Sequence, residues 1–185
     1  MKMNFRFQIH VSEDDYLEYN KFWALRSPYG KRSLVGLRIL DVVIILIAIL
    51  LVVVRGGFDS NVILRILPLL LLLVVLQLLL KPFYVFILRN HIKNLKKRGK
   101  MPYTPESVME FHEDFFLEMS PEAKIEQQYS AVERISLVDG KMIYLHINNL
   151  IAYILPVSAF QSEKEREAFI EFIQSKCPNA PVDIY

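Results

Sequence analysis

Cysteine is nearly missing from this chain of 185 residues; Cys177 is the single one, so no intrachain disulfide can form. That suits a folded part in a reducing compartment and excludes a disulfide-stapled scaffold. The usual catalytic signatures are missing too. There is no Gly-rich phosphate loop, no His-Glu-x-x-His, no Cys-x-x-Cys and no Gly-x-Ser-x-Gly, so nothing points to the chemistries those motifs carry. No Asn-x-Ser/Thr acceptor, low-complexity tract or repeat occurs. The first 33 residues carry no leading apolar stretch, so the expectation is no cleaved signal peptide and an uncleaved internal anchor. The reading is a non-enzymatic protein with no cofactor and no metal.

What the chain has in excess is apolar residues, 53% of the total, and they concentrate in residues 34–88. A bilayer core about 30 Å thick needs roughly 20 helical residues to cross it. The run from Ile66 to Leu88 reaches roughly 35 Å as a helix, with Lys81 as its one charge and Pro68 and Pro82 inside it. Its stretch "LPLLLLLVVLQLLL" has no polar face, which a soluble surface helix would need. The first run, Leu34–Val54, has adequate length but includes Arg38 and Asp41. These lie three apart, share a helix face, and could pair or snorkel. Between the runs is "RGGFDSN", Arg55–Asn61, a tight connection. The expectation is a two-span hairpin, 34–54 and 62–88, with the loop 55–61 outside.

Net charge is only +2, but its placement is uneven. Lys21, Arg26, Lys31 and Arg32 precede the apolar block. Lys81, Arg89, Lys93, Lys96, Lys97, Arg98 and Lys100 accompany its end, against one basic residue in the loop. By the positive-inside rule both termini are cytoplasmic in a multi-pass cell-membrane protein. The collar Arg89, Lys93, Lys96, Lys97, Arg98 and Lys100 either sets topology alone or also holds anionic lipid head groups. A nucleic-acid partner is not expected, because the adjacent bilayer would compete for the same charges.

The flanks read as soluble protein. In "MNFRFQIHV", Met3, Phe5, Phe7, Ile9 and Val11 alternate with Asn4, Arg6, Gln8 and His10, the pattern of a half-buried strand. Ser12 is a helix N-cap, with Glu13, Asp14 and Asp15 in the first turn, and Tyr16, Tyr19, Phe22 and Trp23 at helical spacing. After the apolar block, Gly99 and Pro102 end the basic helix. "SVMEFHEDFFLEM" reads as a hairpin turning at Glu113-Asp114, followed by "AKIEQQY" and "AVERISLV". Asp139-Gly140 is a two-residue hairpin turn into "KMIYLHI", and Asn148-Asn149 turns the chain into "LIAYILP". That makes about seven strands. A last helix starts at the Ser162/Glu165 capping box, buries Ala168, Phe169, Phe172, Ile173 and Cys177, and stops at Pro178. The expected class is an α+β membrane protein with a mainly antiparallel, pleckstrin-homology-like (PH-like) domain closed by a C-terminal helix. The expected parts are residues 1–33, 34–88, 89–105 and 106–185, the first packing with the last.

His10, His112 and His146 fall on these strands, but their spacing does not specify a metal site. Glu110, Glu113, Asp114 and Glu118 cluster about one hairpin as ordinary solvated charges. Cys177 is a packing thiol. The intramembrane polar candidates are Arg38, Asp41, Arg65 and Gln77.

The segments "VSEDDYLEYNKF" and "VMEFHEDFFLEMS…YSAVERI…DGKMIYLHI…AYILPVSAFQSEKEREAFIEFI", with the spans between them, resemble the YcxB-like family, most closely over residues 107–173. The resemblance implies a bacterial inner-membrane protein with a cytoplasmic domain and brings no catalytic residues. Two functions follow as expectations. One is a membrane-anchored module that binds a protein, peptide or lipid partner, of which a stress or peptide-immunity factor is a variant. The other is a small subunit of a homo-oligomeric transporter or channel, with Gln77 as its interhelical polar group.

Overall fold

The computed structural model describes residues 3–99, 103–148 and 151–185. Lys100, Pro102, Asn149 and the side chain of Met3 lie outside the described residues. The chain divides into two compact units, Met1–Tyr16 with Met101–Tyr185, and Leu17–Lys100. The first is discontinuous, so the strand-rich unit includes the N-terminal strand and starts earlier than the boundary at residue 106.

In the strand unit, β1 (Met3–His10) pairs antiparallel with β2 (Glu106–His112), with Phe7 opposite Met109 and His10 opposite Glu106. The alternation of β1 is used as its pattern predicts. Phe7, Ile9 and Val11 are buried while Arg6, Gln8 and His10 are exposed. Glu113-Asp114 turns the chain into β3 (Phe115–Met119), and β4 (Lys124–Gln128) completes a sheet of order β1-β2-β3-β4. β4 is almost wholly exposed, so its pairing with β3 rather than burial holds it. Tyr129–Ala131 forms a 3₁₀ turn that buries Tyr129 and delays the next strand to Arg134.

The second sheet contains β5 (Arg134–Val138), β6 (Met142–His146), β7 (Ala152–Pro156) and β8 (Val182–Ile184), in the order β7-β6-β5-β8. Asp139 and Gly140 join β5 to β6 with φ of 51° and 63°, the two positive values a type I′ turn requires. Gly140→Val is expected to cost about 1–2 kcal/mol, because an L-residue in that region brings Cβ against the carbonyl. The readout is a lower urea midpoint at unchanged slope.

The two sheets share one core with α4 (Glu163–Lys176), whose Phe169 and Ile173 are fully buried beside Phe7, Phe111, Phe116 and Leu155. Ser162 Oγ accepts from the Glu165 amide at 3.2 Å, and the Glu165 carboxylate accepts from the Gln161 amide at 2.6 Å. The cap therefore forms at the expected residue. One position of the predicted stripe fails: Ala168 is exposed, and Ile170 packs against the core instead. Phe169, Ile173 and Cys177 repeat every four residues, and Ala168 lies about 100° round the helix from that line. β8 was not expected; it follows Pro178, where the sequence pattern had run out.

The helical unit begins within α1 (Glu13–Lys21). Ser12 Oγ accepts from the Asp15 amide at 3.1 Å while Asp15 accepts from the Ser12 amide at 2.9 Å, a reciprocal cap that absorbs part of the acidic trio. A π-helical stretch, Phe22–Arg26, ends at Ser27, whose hydroxyl accepts from the Gly30 amide at 3.0 Å and opens α2 (Pro28–Gly56). A Cβ on Gly30 would fall inside contact distance of the Trp23 and Ala24 carbonyl oxygens, so this turn requires glycine. Gly57, with φ of 69°, ends α2, and α3 (Val62–Lys97) runs back through both Pro68 and Pro82. Both helices outrun the predicted spans, α2 at its start and α3 at its end.

Candidate functional site

The polar residues of the apolar helices fix their register. Gln77 Nε2 donates to the Arg38 carbonyl oxygen at 3.3 Å, joining α3 to α2. One turn beyond this contact in each helix lie Leu34 and Lys81, which therefore share a level in the antiparallel pair. At the other end Arg65 makes an ion pair with Asp59 in the connection. From Arg65 to Lys81 α3 rises about 24 Å. Arg38 is exposed and Asp41 half-buried, and among the described residues the two form no ion pair with each other.

Beyond Lys81, α3 continues for about 24 Å more. Its outward residues are first apolar, Phe83, Phe86 and Ile87, and then basic, Arg89, Lys93, Lys96 and Lys97, all exposed. Arg98 caps the helix and Gly99 follows with φ of 68°. Lys96 and Lys97 occupy the last turn, where the negative end of the helix dipole favours cations. The collar thus has a local structural use in addition to any ligand.

The sheets do not gather the candidate histidines. His10 and His112 stand at opposite ends of the β1–β2 ladder, and His146 is on the other sheet. No group of three His, Cys, Asp or Glu among the described residues could hold a metal ion. The carboxylates disperse too. Glu110 lies 3.5 Å from both Arg6 and His112, while Glu113 pairs with Lys176. Glu118 turns toward Ser107, and burial raises its carboxyl above the usual range while that hydrogen bond opposes the rise. Cys177 is buried, its Sγ 3.6 Å from the Tyr129 carbonyl oxygen, and burial pushes the thiol up to about 11. A thiol so held is a poor nucleophile.

One polar constellation escaped sequence reasoning. Ser136 Oγ lies 3.1 Å from His146 Nε2, both residues buried, and Arg134 forms an ion pair with Asp183 of β8. Serine, histidine and aspartate in one sheet suggest a nucleophile, but Ser136 is wholly inaccessible. Burial, helped by the Arg134 charge and opposed by Asp183, lowers His146 to about 4, so the imidazole is neutral at pH 7. The cluster is structural. The structure pairs Arg134 with His146, whereas counting outward from a two-residue Asp139-Gly140 loop would put Leu145 there, so the sequence did not announce the cluster. The strand unit also has an open cleft of about 270 Å³ among Gln8, Glu106, Ser107, Val108, Met119, Ser120 and Pro121.

These features define an α+β chain of two antiparallel-rich sheets closed by one helix, with a pair of long apolar helices. Residues 111–173 match the family model for YcxB-like protein, from the end of β2 to Ile173 in α4. The match leaves β1 and both apolar helices outside it. No curated protein and no solved structure matches the chain.

Proposed function

We propose that this chain is a membrane-anchored, non-enzymatic module of the bacterial inner membrane. Helices α2 and α3 cross the bilayer as a hairpin and hold a PH-like strand unit at the cytoplasmic face. There the unit binds a protein, peptide or lipid partner. The observation that carries this reading is exposure: 6% of the apolar stretch of α2 is buried, and none of that of α3. The core helix of a soluble protein would be mostly covered. Each large apolar side chain left in water forgoes about 1.5–3 kcal/mol, and Leu46, Leu50, Leu71, Leu72, Leu78 and Leu79 are all exposed.

The β1–β2 pairing supports the topology. Residues on either side of the hairpin form one ladder, so both must lie in one compartment and the helices cross an even number of times. The charge distribution favours the cytoplasm for that compartment. The PH-like assignment rests on four strands, then three, then a closing helix; β8 is an addition to that plan. The exposed collar Arg89, Lys93, Lys96 and Lys97 would meet anionic head groups at about 1 kcal/mol each. Gln77, the chief support for a transporter subunit, is engaged within its own hairpin.

Cys177 is buried and its thiol is held largely protonated, so single added cysteines can report the topology. A membrane-impermeant maleimide applied to intact cells is expected to label Ser60→Cys, in the connection, and to label Glu171→Cys only after the cells are opened. Labelling of both from the same side, or release of the chain from membranes by alkaline carbonate, would defeat the reading.

A further inference from the structure

The second sheet ends on a strand that the other pairings do not resemble. β8 is three residues long and runs parallel to β5, with Val182 opposite Ile135, Asp183 opposite Ser136 and Ile184 opposite Leu137. The described neighbours elsewhere in both sheets are antiparallel. Backbone bonds hold the tail along the edge. The Ile135 amide donates to the Pro181 carbonyl at 3.0 Å, the Tyr185 amide to the Leu137 carbonyl at 2.9 Å, and the Asp139 amide to the Tyr185 carbonyl at 2.9 Å. Side chains add selectivity. Val182 packs against the core, and Asp183 meets the Arg134 guanidinium, while Ile184 is 81% exposed.

The β5 edge therefore has what strand addition requires: a row of aligned backbone donors and acceptors, with an apolar seat for Val182 and a basic partner for Asp183. What occupies it is a short strand in the weaker kind of pairing. Parallel pairs are slightly weaker per residue than antiparallel ones. The strand is at the short end of what sheets contain, and Pro178 and Pro181 separate it from α4. Its ion pair is about one-third exposed at each partner, 37% and 32%, where water screens it.

We propose that the β5 edge is a strand-binding groove for an extended segment of a partner polypeptide with an apolar residue followed by an acidic one, as in Val182-Asp183, kept filled in cis by the chain's own β8. The seated tail gives the ligand's direction and backbone course, and Arg134 gives the charge it must carry. This site belongs to the strand unit and does not depend on the membrane reading.

The test uses the full chain in detergent micelles and a fluorescent peptide of its tail sequence, Ala-Pro-Val-Asp-Ile-Tyr. A tail-weakened chain, Val182→Ser with Asp183→Lys, is expected to bind the peptide at least about tenfold more tightly than the parent chain. Adding Arg134→Ala is expected to cut that gain by roughly two- to fivefold, and the reversed peptide is expected not to bind. No gain on weakening the tail, or equal uptake of the reversed peptide, would overturn the proposal. So would a tail-weakened chain that dimerises without taking up peptide, since the groove would then belong to a second copy. Hydrogen exchange of the parent chain gives an independent check. The Ile135 and Asp139 amides are expected to exchange through local opening, well ahead of Ile143 and Leu145 on the central strand. Exchange of all four only on global unfolding would make the tail a fixed part of the sheet and end the idea.

Discussion

Phe169→Ala is expected to be the most damaging single truncation in the strand unit, at about 3–5 kcal/mol. Phe169 is fully buried, and its ring lies 4.8 Å from Phe111, 5.1 Å from Phe7, 5.4 Å from Phe160 and 5.5 Å from Phe5. Those rings come from both sheet β1-β2-β3-β4 and the segment leading into α4. Removing Phe169 opens a cavity where helix and sheet meet, and rigid aromatic neighbours on several sides limit its collapse. A domain typically holds only about 5–15 kcal/mol in total, so the loss is a large share of it. At a urea slope of about 1–3 kcal/mol per molar, the midpoint should fall by more than about 1 M. A loss under about 1 kcal/mol would mean that α4 does not close the core in this way.

Acid is expected to weaken the unit through His146. Its imidazole is held at about 4, below its ordinary 6.5, chiefly by burial and further by Arg134. The folded state therefore binds the proton less readily than the unfolded chain does. The stability this group contributes is fully present above pH 6.5 and is lost as pH falls toward 4, by roughly 3 kcal/mol at the lower end. His146→Gln offers an amide to Ser136 without titrating, so its stability should fall less over that window. Glu118 acts in the opposite sense, since burial raises its carboxyl, and protonation on acidification favours the folded form. Both chains carry Glu118, so the difference between their pH profiles isolates His146. Parallel profiles would show that the imidazole reaches solvent.

Much of the architecture was legible because it is encoded locally. The φ values of Asp139 and Gly140 follow from the residues that tolerate them. Ser12 and Ser162 begin helices because a hydroxyl three residues before an amide can satisfy it; the same cap at Ser27 came only with the structure. Phe7, Ile9 and Val11 are buried because alternation in a strand selects one face. The failures have a common origin. Spacing alone puts Ala168 on the buried stripe, whereas the helix turns Phe169 toward Phe5, Phe7 and Phe111 of the first sheet. Asp183 and Ser136 could not be joined, because β8 has too few residues to display a period.

The sequence by itself determined the elements: two long apolar helices, the turns, the caps and the inward face of each well-patterned strand. Each depends on residues within about a turn or a pleat of one another. Only the tertiary structure decided the partners: that β1 closes on β2 from across the whole helical excursion, that β8 lies along β5, and that Ser136 meets His146. The physical reason is that a strand's hydrogen bonds come from the backbone, which is nearly the same at every residue. Side-chain pattern says which face of a strand is buried, and the choice of neighbour is made by the packing of the assembled core.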